Sequence, residues 1–240
     1  MREGLNKIHG KHVLLSLAVF FAPAFVLAVI FLQAGVEITF GPSDSKGPSI
    51  TELELTGLAG ILTLGLMILI EKRASISAAS LGTNYFVPGH WFALSSLSIL
   101  GIISFGFVTP LLGLDISLEA KQLLEELTYV RPDILLWIFG FISIAVIVPF
   151  YEELFFRGFL YGWLRQKFRF LTSALITSML FASIHFHYFV FDMTTTVLLG
   201  TYLVLIGFAT DYFREVFQSL SPAILIHAIN NAFYFLYYQA

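Results

Sequence analysis

The chain has 240 residues, 58% of them hydrophobic and only 12% charged, with a net charge of −3. An ordinary soluble domain carries roughly 25% charged residues, so this composition excludes one. The absence of cysteine excludes disulfides and thiolate metal centres, and with no basic face to neutralise phosphates no nucleic-acid partner is expected.

Read in chain order, Arg2, Lys7 and Lys11 precede an uncharged run from Val13 to Val36. That run is too long for the apolar core of a cleaved signal peptide and reads as a spanning anchor. Seven segments are apolar enough to cross a bilayer of about 30 Å as helices. They lie near 13–34, 54–70, 91–113, 133–165, 170–190, 193–210 and 216–239. The second is the weakest, with 16 uncharged residues between Glu54 and Glu71. Open sheets cannot cross lipid, so the expected fold is all-α: one polytopic transmembrane helix bundle covering residues 1–240 as a single domain. The acidic loop 35–53 is rich in turn residues, and Ile116–Val130 reads as an amphipathic surface helix with Leu118, Leu123, Leu124 and Leu127 among its charges. His9, His12 and His90 sit at segment ends and read as interfacial, Glu125 and Glu126 as a solvated face, and the phenylalanines as lipid-facing and packing surface. With the N-terminus inside, ten Lys and Arg fall on inner segments and three (Lys46, Lys121, Arg131) on outer loops; of the ten, Arg157 is expected within the membrane and is discounted. This bias predicts a multi-pass protein with a cytoplasmic N-terminus. Short loops and the lack of a targeting signal suggest a prokaryotic cell membrane.

Three polar constellations interrupt the apolar spans. In the first, Glu152-Glu153 precede Arg157; the four-residue spacing pairs Glu153 with Arg157 on one helical face, while Glu152 points about 100° away without a local partner. A lone carboxylate inside a membrane helix is by default a functional-site candidate. The second constellation is Phe181 with His185, and the third is His227 with Asn231, again one turn apart. Counted at 1.5 Å per residue from the nearest inner charge, Glu152 lies about 20 Å above Arg165, His185 about 24 Å above Arg169, and His227 about 20 Å above Arg214. A common depth suits a single buried site. Gly158 and Gly162 would let a neighbouring helix approach closely.

A carboxylate and an imidazole can together deprotonate water, while a second imidazole and an amide can donate to an oxyanion. That set suits hydrolysis of an amide bond by activated water. Alternatively, Glu152, His185 and His227 could ligate zinc, although the His-Glu-x-x-His spacing of common zinc peptidases is missing and Asn is a poor zinc ligand. No cofactor is expected on the first reading; zinc is the alternative.

The order Glu-Glu-x-x-x-Arg, Phe-x-x-x-His, His-x-x-x-Asn resembles the CAAX prenyl protease and bacteriocin-processing (CPBP) family of intramembrane proteases, which includes the type II CAAX, or abortive-infection, endopeptidases. Glu152, Glu153 and Arg157 match the first motif, Phe181 and His185 the second, and His227 and Asn231 the third, within 149–231. The resemblance implies an endopeptidase in which Glu152 and His185 activate water, His227 and Asn231 form the oxyanion hole, and Glu153, Arg157 and Phe181 support them. It implies a membrane-associated peptide or protein substrate, prenylated CAAX-type ends included, met among membrane lipids. The prenyl-protease branch implies eight spans where seven are counted. Competing readings are a non-enzymatic immunity or scaffold protein on the same fold and a small transporter using Glu152, His185 and His227 as a proton relay. No residue of the constellation is missing, against the first, and no internal repeat is visible, against the second. His187 and Asn230, neighbours of the motif residues, read as structural.

Overall fold

A computed structural model describes residues 7–39, 49–83, 117–128, 133–185 and 192–239. Apart from one short strand pair, the regular elements among them are helices. In order they are α1 (Gly10–Gln33), β1 (Glu37–Thr39), β2 (Ser49–Thr51), α2 (Glu52–Arg73), α3 (Ala78–Leu81), α4 (Leu118–Thr128), α5 (Ile134–Leu164), α6 (Phe170–Ser183), α7 (Met193–Phe217) and α8 (Ser221–Gln239). Four of these, α1, α2, α5 and α7, are long and apolar enough to cross a membrane. Their outward side chains belong in lipid, since Phe25 and Leu135 stand 72% and 73% exposed. The protein is therefore a multi-pass membrane protein. The expected span near 91–113 lies outside the described residues, as does His90.

Several boundaries differ from the sequence expectation, each for a local reason. The weak second span lengthens to 22 residues because Glu54 caps it rather than ending it. Thr51 Oγ1 accepts from Glu54 N–H at 3.2 Å and Glu54 Oε2 accepts from Thr51 N–H at 2.9 Å, a reciprocal capping box. The sixth span runs on to Phe217, because Asp211 and Arg214 are buried within the helix and do not mark its end. The fifth is shorter than expected: α6 stops at Ser183, so His185 sits in the turn beyond it. The seventh starts at Ser221, after a turn in which Gln218 adopts positive φ. The loop expected over 35–53 contains the parallel pair β1–β2, with Ile38 opposite Ile50. The amphipathic helix is α4; Leu118 is exposed, as are Glu125 and Glu126, while the side chains of Leu123, Leu124 and Leu127 lie outside the description. His12 is buried, its Nδ1 accepting from His9 N–H at the start of α1.

The core gathers around the second half of α5, where Leu154, Phe155, Phe156, Phe159 and Leu160 pack with Phe181 of α6 and Met67 of α2. Two π-helical turns, Ser143–Ile147 and Leu154–Leu160, widen α5 on either side of Glu152 and Glu153. Pro149 explains the first: it has no N–H to donate to the carbonyl four residues back, so the ladder reorganises there. Ser143 Oγ donates to Phe139 O at 2.7 Å within the same stretch. The α2 helix reaches this turn through Gly57, where a Cβ would overlap the Ser143 hydroxyl and press on Phe139. Gly162 also permits close approach, but to Ile8 and the Ser80 carbonyl rather than to a spanning helix.

Gly57→Val should therefore overpack the α2–α5 contact, costing about 1–3 kcal/mol and lowering the melting temperature of the detergent-solubilised protein. A variant that melts with the parent would show that α2 need not approach this closely.

Candidate active site

The site is built on the regular turns of α5 between its two wide ones. Glu152 and Glu153 are both buried there, and Arg157, four residues on, is fully buried. Arg157 Nη1 donates to Glu153 Oε1 at 3.1 Å, the pairing that the spacing predicts. Its Nη2 donates to Gly207 O of α7 at 2.9 Å, and its Nε lies 3.4 Å from Asp211 Oδ1. Phe181 of α6 covers the guanidinium, with Cζ 4.7 Å from the ring centroid. Asp211 is completed by Ser178, whose Oγ donates to Oδ2 at 3.1 Å.

Asp211 is the residue that the sequence reading missed. A signal was present: Asp211 follows the uncharged run from Met193 and is itself followed by Tyr212 and Phe213 before Arg214. Hydropathy treats such a charge as the end of a span, whereas here it is paired with Arg157 and bonded by Ser178 inside one.

His227 brings α8 to the same place. Its Nδ1 lies 2.9 Å from Glu153 Oε1 and its Nε2 3.7 Å from Glu152 Oε2. An ionised carboxylate can only accept, so with Glu153 ionised the Nδ1 carries a proton and the ring is oriented with Nε2 toward Glu152. Glu153 thus serves two partners, Arg157 and His227, where the sequence suggested the arginine alone. Glu152 Oε2 makes no hydrogen bond among the described residues.

Depth counted from Arg214 does not explain how His227 gets there. Arg214 lies inside α7, and the turn Gln218–Leu220 that follows is largely interior: Ser219 and Leu220 are buried, and Leu220 N–H donates to Gly82 O at 2.8 Å. Helix α8 therefore begins already deep, and the six residues from Ser221 to His227 span only about 9 Å.

His185 has its own anchor. Its Nδ1 lies 2.9 Å from Phe181 O, a carbonyl in the last turn of α6 that the helix cannot satisfy. A carbonyl accepts only, so Nδ1 again holds the proton and, in the neutral ring, Nε2 carries a lone pair. The Phe181 ring links the histidines, its centroid 5.0 Å from that of His185 and 5.6 Å, edge-on, from that of His227. Asn231 lies one turn beyond His227 and donates from Nδ2 to Ile144 O, in the first wide turn of α5, at 3.0 Å. Asn230 bonds Tyr202 and lies 3.4 Å from Asn231, behind the site. His187 lies outside the described residues.

Glu152, Glu153 and His227 converge, but no group of three His, Asp or Glu side chains among the described residues is arranged to hold a metal ion. Residues 134–233 match the family model described as type II CAAX prenyl endopeptidase Rce1-like. No curated protein and no solved structure matches the chain.

Asp211→Ala should strip Arg157 of one of its two carboxylates in a dry environment. The expected loss is about 3 kcal/mol, read as a lower melting temperature and reduced yield. Native stability would mean that Glu153 alone suffices to balance the guanidinium.

Proposed function

We propose, from the match of residues 134–233 to the type II CAAX prenyl endopeptidase family model, that this chain is an intramembrane endopeptidase. It hydrolyses a peptide bond of a membrane-associated peptide or protein, and a prenylated CAAX-type C-terminus is the first substrate to test. The observation that carries the proposal is the meeting of Glu152 and His227, from separate helices, with Glu153 fixed behind the imidazole. Glu152 and the Nε2 of His185 take the proton of a water, whose oxygen then attacks the scissile carbonyl. His227 and Asn231 stabilise the oxyanion that forms: His227 through Nε2–H in its doubly protonated form, Asn231 through the Nδ2 hydrogen not given to Ile144 O. The proton taken from water passes to the leaving amine, and two peptide ends are released. Water would enter along the polar turn at His185, because irregular backbone at membrane depth is tolerated where it lines a hydrated cavity. We further place the N-terminus and the basic end of the bundle on the cytoplasmic side of a prokaryotic cell membrane, on a nine-to-three distribution of Lys and Arg once the buried Arg157 is left out.

Glu152→Gln keeps the shape of the side chain and removes its basicity. With reporter peptides, prenylated and not, cleavage should fall by roughly 10²-fold or more while the melting temperature stays near that of the parent. Activity within a factor of two of the parent would remove Glu152 from the mechanism.

Strong chelators should leave cleavage intact, and elemental analysis should find no stoichiometric metal. One zinc per chain, with activity restored only by adding the metal back, would overturn the water mechanism and make His227 a ligand.

A further inference from the structure

Helices α7 and α8 meet through a line of polar groups that ends at Asn231. The Tyr202 hydroxyl of α7 donates to Asn230 Oδ1 of α8. Asn230 Nδ2 donates to Asn231 Oδ1 at 3.4 Å, and Asn231 Nδ2 donates to Ile144 O of α5 at 3.0 Å. Tyr234, one turn beyond Asn230, stands beside Tyr202 with ring centroids 6.4 Å apart, and the two hydroxyls are hydrogen-bonded. Tyr202 and Asn230 are buried, whereas Asn231 is only partly so.

The polarity of this line has one consistent assignment. A backbone carbonyl only accepts, so Asn231 turns Nδ2 to Ile144 O and leaves Oδ1 facing Asn230. That oxygen needs a donor, so Asn230 turns Nδ2 to it and Oδ1 to Tyr202. The single proton of the Tyr202 hydroxyl then goes to Asn230, and its oxygen is left to accept from Tyr234. Reversing either amide would set like groups against each other in an apolar interior, where an unmet polar group bears its full desolvation cost. Consecutive residues on a helix point about 100° apart. Contact between the two amides therefore needs Asn230 to be held toward its neighbour, and the Tyr202 hydroxyl supplies the hold. The bond to Ile144 O alone would let the Asn231 amide pivot about it. The second contact, at Oδ1, fixes the amide plane and with it the direction of the remaining Nδ2 hydrogen.

We propose that Tyr202 is a positioning residue: acting through Asn230, it sets the plane of the Asn231 amide and so aims the hydrogen assigned to the oxyanion. Its effect on cleavage rests on the oxyanion role proposed above for Asn231; its effect on the amide does not.

The test therefore has two readouts on the full chain in detergent. Asn6, Asn84, Asn230 and Asn231 are the only asparagines, so heavy-nitrogen asparagine gives a sparse set of side-chain amide signals in NMR. Asn230→Ala and Asn231→Ala identify those of the pair. Tyr202→Phe keeps the ring and removes only the hydroxyl, and it should shift the Asn231 signal. An Asn231 signal that stays in place would overturn the proposal, whatever the enzyme does. In cleavage of the reporter peptides, Tyr202→Phe should lower kcat about tenfold, short of the roughly 10²-fold expected for Asn231→Ala. KM should stay within about twofold, because the oxyanion exists only in the transition state. Added to Asn231→Ala, Tyr202→Phe should cost nothing further, since the residue through which it acts is gone. Losses that multiply in the double variant would overturn the proposal, as would a rise in KM at unchanged kcat. Parent-like kcat in Tyr202→Phe, with Asn231→Ala inactive, would overturn it and leave the oxyanion role standing. Parent-like cleavage by Asn231→Ala would remove that role and the catalytic part of Tyr202 with it. Should Tyr202→Phe not fold, Asn230→Ala breaks the same link and is read in its place.

Discussion

A buried guanidinium organises this protein. Arg157 is out of contact with solvent, and moving a cation from water to such a place costs several kcal/mol unless its donors and charge are met. The charge and two of the donor nitrogens are met from three helices: Glu153 on its own, Phe181 on α6, and Gly207 O with Asp211 on α7, while Nε makes no hydrogen bond among the described residues. Glu153 then passes the connection to α8 through His227. The planar fork of arginine can address a carboxylate, a carbonyl and an aromatic face at once, which the point charge of lysine cannot. In lipid, apolar burial gives little preference for one helix arrangement over another, because the surroundings are as apolar as the contact. A polar hub with directional partners supplies that preference. The groups that orient His227 are therefore the same groups that hold α5, α6, α7 and α8 together.

The irregular geometry of α5 serves the same end. In an uninterrupted α-helix the carbonyl of Ile144 would be turned along the axis toward the next turn. In the wide turn before Pro149 it accepts from Asn231 on α8 instead. The second wide turn carries Arg157 in its middle, between Glu153 before it and the regular turn that resumes at Tyr161. Wide turns of this kind expose backbone groups to partners outside the helix and are frequent at functional sites. Here one of them fixes Asn231 and the other surrounds Arg157, and the glutamate pair lies between.

Much of this was readable in the residues because helical periodicity is a strong rule. Glu153 with Arg157, and His227 with Asn231, follow from four-residue spacing alone, and the apolar runs locate the helices that carry them. Asp211 was missed, because a span is recognised by the absence of charge and an internally paired charge looks like a boundary. The same rule cut α2 short at Glu54, whose capping role with Thr51 lies in the three-residue spacing of the pair. The depth count for His227 does not follow one helix, because it runs from Arg214 on α7 through the turn Gln218–Leu220 to α8. The turn before α8 is held inside the protein by a hydrogen bond to Gly82 O, a long-range contact that no local pattern encodes. The second role of Glu153 is likewise tertiary, since nothing in α5 alone says which helix will face its carboxylate.

The partners behind the two histidines suit them to different work. Both rings have Nδ1 against an acceptor, and the Nε2 of His227 lies toward Glu152. Behind His185 the acceptor is a neutral backbone carbonyl, which fixes the tautomer without favouring extra positive charge. Its Nε2 is then a lone pair able to receive a proton from water. Behind His227 the acceptor is a carboxylate, and a carboxylate in that position stabilises positive charge as it forms on the ring. Such a ring is suited to hold a proton on Nε2 and to direct it at a developing oxyanion. The division of labour proposed for the hydrolysis is compatible with these backing groups, and Glu153 ties it to the rest of the fold, because the carboxylate oxygen that receives Arg157 is also the one that holds the His227 ring.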